Sequence, residues 1–219
     1  MPAKINETSG QQMEKENKYR KINYLYDKHN KKYSVLILLL NIKGEINILF
    51  ELRSRNLSEN AQPGDISLPG GLCEDDDVIG EALRETYEEV GIYPAEIEIL
   101  GRMNPIFTGD ERKIIPVVGY AEDIDISKLN ISTDEVEEVF TVPLDFFLNS
   151  EPKVHSICYQ AEFDEKFPFE KIHKGRDYNW KPRQEKIYFY YYKDYNIWGI
   201  TAKIINQFVN ILKNQEEEI

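Results

Sequence analysis

Four glutamates lie close together between residues 81 and 89, at Glu81, Glu85, Glu88 and Glu89. If this segment is a helix, spacings of four, three and one place their side chains within an arc of about 100°. Like charges four residues apart destabilise a helix, and anions in its last turn oppose the helix dipole. A solvated acidic face is one interpretation, and a functional site that requires the carboxylates is the other.

The chemistry open to such carboxylates is the binding of hard divalent cations, which prefer oxygen ligands. The segment follows Pro69-Gly70-Gly71, and a pair of glycines allows a ligand to approach the backbone closely. Cations held between the carboxylates and a diphosphate would neutralise both and would activate a water for attack on phosphorus. The pattern therefore favours hydrolysis of a phosphoanhydride.

The glutamates must be carried by a helix, which we predict over residues 77–90 from apolar residues that recur on one side. Asp75 to Asp77 are candidates for its N-cap, and Gly91 suits its C-terminal end. Further helices are predicted at 143–148 and 201–213. Strands are predicted at 33–41, 45–53, 97–103, 113–120, 154–160 and 187–192, and a short apolar stretch at 66–68 leads into Pro69. Strands combined with helices predict an α+β or α/β fold.

The chain has 219 residues, a formal net charge of −12 and 41% hydrophobic residues, a composition typical of a folded domain. We expect a flexible leader at 1–20 and a single domain at 21–219. The negative charge disfavours a nucleic-acid partner, and the apolar runs are too short to predict a membrane span or a secretory signal. Two cysteines, Cys73 and Cys158, fit a reduced, cytoplasmic setting.

Residues 70–92 resemble the Nudix box. Gly70 begins the motif, Asp76 stands at its first glutamate, and the core Arg-Glu-x-x-Glu-Glu-x-Gly runs intact from Arg84 to Gly91. The resemblance implies a Nudix fold of the α+β class, an α/β/α sandwich with a mixed β-sheet between helices, and Mg²⁺ or Mn²⁺ as cofactor. It assigns catalysis to Arg84, Glu85 and Glu88, and the metal to Glu85, Glu88 and Glu89.

A second resemblance narrows the family to its coenzyme A diphosphatase branch. Leu52-Arg53-Ser54 and Ile66 to Gly71 are similar to the signature of that branch, although Ser58 stands where the signature has its second arginine. The resemblance implies cleavage of CoA or its derivatives to 3′,5′-ADP and 4′-phosphopantetheine. The substrate-binding candidates are Arg53, Arg55, Gly70 and Gly71. For the two arginines, a surface charge at a strand end is the alternative interpretation.

Other charged and reactive residues are weaker candidates. Lys113 could contact phosphate. An acidic run could supply a further metal ligand or the general base, or it could simply be solvated; its members are Glu135, Glu137 and Glu138. We expect Cys73 to be unreactive and Trp198 to be a core anchor.

Two other functions stay open at this point. One is a Nudix hydrolase acting on ADP-ribose or another nucleoside diphosphate derivative, and the other is a catalytically silent domain that senses nucleotides. In each case the expected partner is a small nucleoside diphosphate compound, with no nucleic acid and no membrane, and a homodimer is left open.

Overall fold

The computed structural model describes residues 31–109 and 111–216, which fall into two compact units. Of the described residues, unit 1 contains 31–39, 69–109, 111–122 and 127–132, and unit 2 contains 40–68, 123–126 and 133–216. The expected leader at 1–20 lies outside the described residues, and the single-domain boundary at residue 21 stays a prediction.

Eleven strands and three α-helices are formed by the described residues. The strands are β1 (Lys32–Ile42), β2 (Glu45–Arg53), β3 (Ile66–Ser67), β4 (Gly70–Leu72), β5 (Glu98–Arg102), β6 (Ile106–Phe107), β7 (Lys113–Ala121), β8 (Val136–Pro143), β9 (Lys153–Tyr159), β10 (Arg183–Tyr192) and β11 (Tyr195–Trp198). The helices are α1 (Val78–Val90), α2 (Leu144–Asn149) and α3 (Gly199–Glu216). This content confirms the α+β class.

Unit 1 is built on the first part of β1, which neighbours β7, while β5 and β6 each pair antiparallel with β7. The apolar run of β1 and nearly all of β7 are buried, as expected of strands covered on both faces. Strand β4 pairs antiparallel with β1 in a register that sets Gly70 opposite Val35 and Gly71 opposite Ser34. The glycine pair is therefore fixed by backbone pairing.

Helix α1 follows β4 and is anchored at its first turn. Asp77 caps the helix by accepting a hydrogen bond of 3.0 Å from the Gly80 N–H. The Ser34 hydroxyl donates to the Val78 carbonyl at 2.6 Å, which ties β1 to the helix. Thr86 stands at an apolar position of the motif, and its hydroxyl donates to the Ala82 carbonyl at 2.7 Å, so it is buried with its hydrogen bond satisfied.

Unit 2 contains two groups of strands. Strand β2 lies between β3 and β8 in antiparallel pairings, and Phe50, Phe140 and Phe147 pack their rings beside it. Strands β9, β10 and β11 form a separate three-stranded sheet in the order β11-β10-β9. Helix α3 buries Ile204, Ile205 and other apolar residues in this unit. Within the described residues, no helix is both long and apolar enough to span a membrane.

The expected strands and helices are confirmed, but five strands were not predicted. The missed strands are β3, β4, β6, β8 and β11. Strand β8 was read as an acidic run because Glu137 and Glu138 point outwards while Val136 and Phe140 are buried. The prediction that Trp198 is a core anchor is wrong: Trp198 is 39% exposed, with its indole N–H donating to the Asp65 carboxylate at 3.1 Å.

We predict that Gly70→Ala destabilises the protein by about 2–3 kcal/mol, because the added methyl has no room. A Cβ at Gly70 would lie 2.2 Å from the Ser34 carbonyl oxygen and 2.6 Å from the Val35 Cα, and the φ angle there is +155°. Urea unfolding measures the loss. The matched control is Gly101→Ala, where a Cβ would meet nothing within 4 Å, and equal stability of the two variants would contradict the prediction.

Candidate active site

One guanidinium group organises the acidic face of α1. Arg84 donates to the carboxylates of Glu81, Glu85 and Glu88, each at 2.5 Å. Side-chain hydrogen bonds to Glu81 and then Glu88 raise the pKa of Arg84 above its ordinary value. Three of the four glutamates expected on one face are thus gathered round a single cation, which offsets their mutual repulsion.

Glu85 lies directly against the glycine pair of β4. A Cβ added to Gly71 would lie 2.1 Å from Glu85 Oε1, so any residue other than glycine would collide with the carboxylate. Burial raises the pKa of the Glu85 carboxyl, and the charge of Arg84 opposes that rise. Gly71 therefore serves to admit the Glu85 side chain beside the backbone.

Glu89 takes a different direction from the other three glutamates. Its side chain is buried, with 4% of the residue exposed, and its Oε2 accepts a hydrogen bond of 2.9 Å from the Gly70 N–H. The Ser132 N–H donates to the Glu89 carbonyl at 2.9 Å and connects the end of α1 to the segment before β8. Glu85 and Glu89 consequently contact consecutive glycines of β4.

The donor set suits a hard divalent cation, because it consists of carboxylate oxygens beside a close-packed glycine backbone. In the described arrangement Arg84 supplies the counter-charge, and no three His, Cys, Asp or Glu side chains of residues 31–109 and 111–216 converge as metal ligands. Glu88 is the most accessible of the glutamates paired with Arg84, with 52% of its side chain exposed. Bound cations would therefore share these carboxylates with Arg84.

Asp76, at the first acidic position of the motif, is part of the approach to α1. Its carboxylate accepts a hydrogen bond from Lys32 Nζ, which also donates to the Asp75 carbonyl at 3.0 Å. This hydrogen bond lowers the pKa of the Asp76 carboxyl. Lys113 is the first residue of β7. The pairing of Asp76 with Lys32 thus ties the residues that precede α1 to the start of β1, within unit 1.

The two arginine candidates belong to unit 2, and their surroundings differ. Arg53 is held within the protein: its Nε donates to the Ala61 carbonyl at 2.9 Å, and its guanidinium lies 3.5 Å from Glu51. Arg55 has 75% of its side chain exposed and a loose pairing of 3.5 Å with Glu137. Arg55 is therefore open to solvent, whereas Arg53 shapes the loop that follows β2.

Glu51 was missed as a structural residue of this loop. Its side chain is fully buried and accepts a hydrogen bond of 2.7 Å from the Ser67 hydroxyl. An acidic residue two positions before the strand-end Arg53 was the signal available in the sequence. Two members of the acidic run have hydrogen-bond partners in unit 2. The Glu138 carboxylate accepts a hydrogen bond of 2.7 Å from the Tyr195 hydroxyl, and the Glu135 backbone carbonyl accepts one from the Ser54 N–H.

Comparison with known proteins identifies similar sequences. The NUDIX domain model matches residues 30–161. The mouse peroxisomal coenzyme A diphosphatase NUDT7 is 34% identical over 181 residues, which are 79% of this chain and 66% of that protein. The human mitochondrial coenzyme A diphosphatase NUDT8 is 29% identical over 174 residues, 78% of this chain and 65% of that protein. The chain thus spans about two thirds of either relative's length.

The solved structures that match this chain include a MutT protein from Methanosarcina mazei Go1, 28% identical, with a TM-score of 0.42 over 56% of this chain and 85% of that one. The Caenorhabditis elegans Ap4A hydrolase binary complex is 19% identical, with a TM-score of 0.43 over 52% of this chain and 80% of that one.

The curated relatives are named as peroxisomal or mitochondrial, and the cytoplasmic location expected from the sequence stays a prediction.

Cys73, which follows β4, is predicted to be inert to alkylation in the folded protein. Burial raises the pKa of its thiol to about 11, so the thiolate fraction at pH 8 falls about 100-fold below that of an ordinary cysteine. Iodoacetamide labelling followed by peptide mass analysis measures the rate. Labelling of the same residue in urea is the control, and equal rates in the two states would contradict the prediction.

Proposed function

Because this chain belongs to the Nudix family and has the Nudix fold, we propose that it is a metal-dependent hydrolase that cleaves the diphosphate of coenzyme A or an acyl-CoA. Water adds to one phosphorus, the bridging P–O bond breaks, and the products are 3′,5′-ADP and a 4′-phosphopantetheine. The observation that carries the proposal is the cluster of Arg84, Glu85 and Glu88 beside the glycines of β4. The substrate is proposed from the names of the curated relatives.

The glutamates of α1 would hold the cation. Glu85 and Glu89 are positioned by Gly71 and Gly70, and Glu88 is the exposed member of the set. When bound, Mg²⁺ or Mn²⁺ supplies charge neutralisation and Lewis acidity toward the phosphate oxygens. Arg84 holds three carboxylates of this face together in the described arrangement, and a bound cation would share their oxygens with it.

Substrate recognition is proposed for the backbone of Gly70 and Gly71 and for Arg55. Gly70 and Gly71 border Glu85, so a diphosphate bound through cations at Glu85 would lie next to their backbone. Arg55 offers an exposed guanidinium that matches phosphate oxygens in a two-pronged geometry. Arg53 acts behind it by holding the loop through the Ala61 carbonyl.

We predict that Glu85→Gln and Glu89→Gln each lower CoA turnover by about 100-fold or more, because the amide removes the charge that a divalent cation needs. Phosphate-monoester products released in the presence of Mg²⁺ are measured by chromatography. Glu98→Gln, on exposed β5, is the matched control and should keep full turnover.

Far-ultraviolet circular dichroism must show that both variants are folded. Glu85→Gln is the variant less expected to disturb folding. Glu89 accepts a hydrogen bond from the Gly70 N–H in the interior, and Glu89→Gln would alter that contact. Near wild-type turnover in folded Glu85→Gln would refute the assignment of this residue to the metal.

Substrate choice is tested by turnover of CoA, 3′-dephospho-CoA, ADP-ribose and a dinucleoside polyphosphate, each with and without Mg²⁺. We expect CoA to be the best substrate and activity to require the cation. Arg55→Gln should raise the KM for CoA about tenfold, because it removes one charge-assisted contact with the 3′-phosphate. The KM for 3′-dephospho-CoA, which lacks that phosphate, should stay nearly unchanged.

The control for a lost surface charge is Arg102→Gln, at an exposed position.

ADP-ribose is the second candidate substrate, because Ser58 stands at the place of the signature's second arginine. Faster turnover of ADP-ribose than of CoA would make ADP-ribose the proposed substrate. Nucleotide binding without turnover of any compound would show a sensor domain instead.

A further inference from the structure

The loop between β2 and β3 carries Arg55 and closes on itself. We call residues 54–65 the Arg55 loop. The Gly64 N–H donates to the Arg53 carbonyl at 3.1 Å, and the Arg53 N–H donates to the Asp65 carbonyl at 2.9 Å. The side chain of Arg55 lies against the end of this loop, since a Cβ added to Gly64 would lie 3.7 Å from Arg55 Cγ and 4.0 Å from its Nε. The position of the Arg55 guanidinium therefore depends on where residues 64 and 65 lie.

A contact from a distant part of the chain reaches this end of the Arg55 loop. Trp198, the last residue of β11, donates its indole N–H to Asp65 Oδ1 at 3.1 Å. Its ring is stacked on Phe189 of β10, with the centroids 5.8 Å apart and 16° between the planes. In the first turn of α3, the Thr201 hydroxyl donates to the Ile66 carbonyl at 3.0 Å. Residues on both sides of the junction between β11 and α3 thus hold the end of the loop.

The indole N–H distinguishes Trp198 from the other aromatic residues that would fit this position. Trp198 is 39% exposed, so burial explains little of its presence, and a phenylalanine ring has the same ability to stack on Phe189. Indole has one N–H donor, whereas phenylalanine has none. The acceptor is a carboxylate, and hydrogen bonds to charged groups are stronger than those between neutral groups. Tryptophan therefore adds one directed contact to Asp65 that phenylalanine would lack.

Without this contact the Asp65 carboxylate would compete with phosphate. Asp65 directly follows Gly64, the residue next to the Arg55 side chain. Arg55 itself is only loosely paired, at 3.5 Å from Glu137. A carboxylate free to turn towards this guanidinium would bind it in the two-pronged geometry that a phosphate also uses. The hydrogen bond from Trp198 thus keeps Asp65 engaged and leaves the guanidinium open.

We propose that Trp198 is a positioning residue for phosphate recognition. By binding Asp65 it fixes the end of the Arg55 loop and keeps the Arg55 guanidinium available for the 3′-phosphate of CoA. The inference rests on the proposed function, in which Arg55 contacts the substrate. Because Trp198 acts through Arg55, its loss weakens the discrimination between CoA and 3′-dephospho-CoA and leaves the hydrolytic step intact.

The test is Trp198→Phe in the full chain, which keeps a stacked ring and removes the N–H donor. We expect the KM for CoA to rise about fivefold, as for the loss of one hydrogen bond, while kcat and the KM for 3′-dephospho-CoA stay nearly unchanged. A merely structural role would change the kinetics of both substrates alike. The matched control is Trp180→Phe, at a tryptophan with the same exposed fraction of 39%, and should alter neither KM.

Further variants test whether Trp198 acts through Asp65 and Arg55. Asp65→Asn keeps an acceptor oxygen and should retain the preference for CoA, whereas Asp65→Leu should lose it as Trp198→Phe does. Adding Trp198→Phe to Arg55→Gln should not raise the KM for CoA further, because effects that pass through one residue are not additive. A further fivefold rise in the double variant would show that Trp198 acts independently of Arg55 and would overturn the proposal.

Hydrogen exchange separates this inference from the proposed function, because it needs no substrate. Trp198→Phe should speed exchange of the Gly64 and Asp65 amides, which donate to the Arg53 and Gln62 carbonyls. Unchanged exchange, or an unchanged preference for CoA where Arg55→Gln loses it, would overturn the inference alone. An Arg55→Gln variant with an unchanged KM for CoA would instead refute the proposed role of Arg55, and this inference with it.

Discussion

Glu81, Glu85 and Glu88 all accept hydrogen bonds from the guanidinium of Arg84, and the acidic face of α1 depends on this one cation. Without Arg84, three carboxylates within two helical turns would repel one another. The anionic side chains in the last turn would also interact unfavourably with the helix dipole. With Arg84, the side chains are held close enough to act together. The fork geometry of arginine matters here, because a lysine offers a point charge and not several directed donors.

The second constraint is the backbone of β4. Its pairing with β1 places Gly70 against Ser34 and Val35, and the absence of side chains leaves room for Glu85 and for the hydrogen bond to Glu89. Ser34 also binds the first turn of α1 through the Val78 carbonyl. The same strand therefore sets both the glycine pair and the start of the helix, which fixes the glutamates relative to the backbone that they contact.

Helix α1 could be predicted from local signals to within one residue at its start, because its cap, apolar spacing and terminal glycine are all read from neighbours in the chain. The spacing of four residues between Arg84 and Glu88 also permits the pairing that the structure has. The inward turn of Glu89 and the burial of Glu51 could not be predicted, since each depends on a partner distant in sequence. Strand β8 was not predicted because its outward-facing acidic residues interrupt the apolar alternation by which a strand is recognised in a sequence.

Charge is distributed unevenly along the chain, and this distribution has a physical consequence. Residues 70–92 hold eight acidic residues and one arginine, a formal charge of −7 out of −12 for the whole chain, which leaves −5 for all other residues. An acidic segment of this density would repel a diphosphate unless cations intervened. The proposed hydrolysis therefore requires bound cations for a physical reason that the sequence itself supplies.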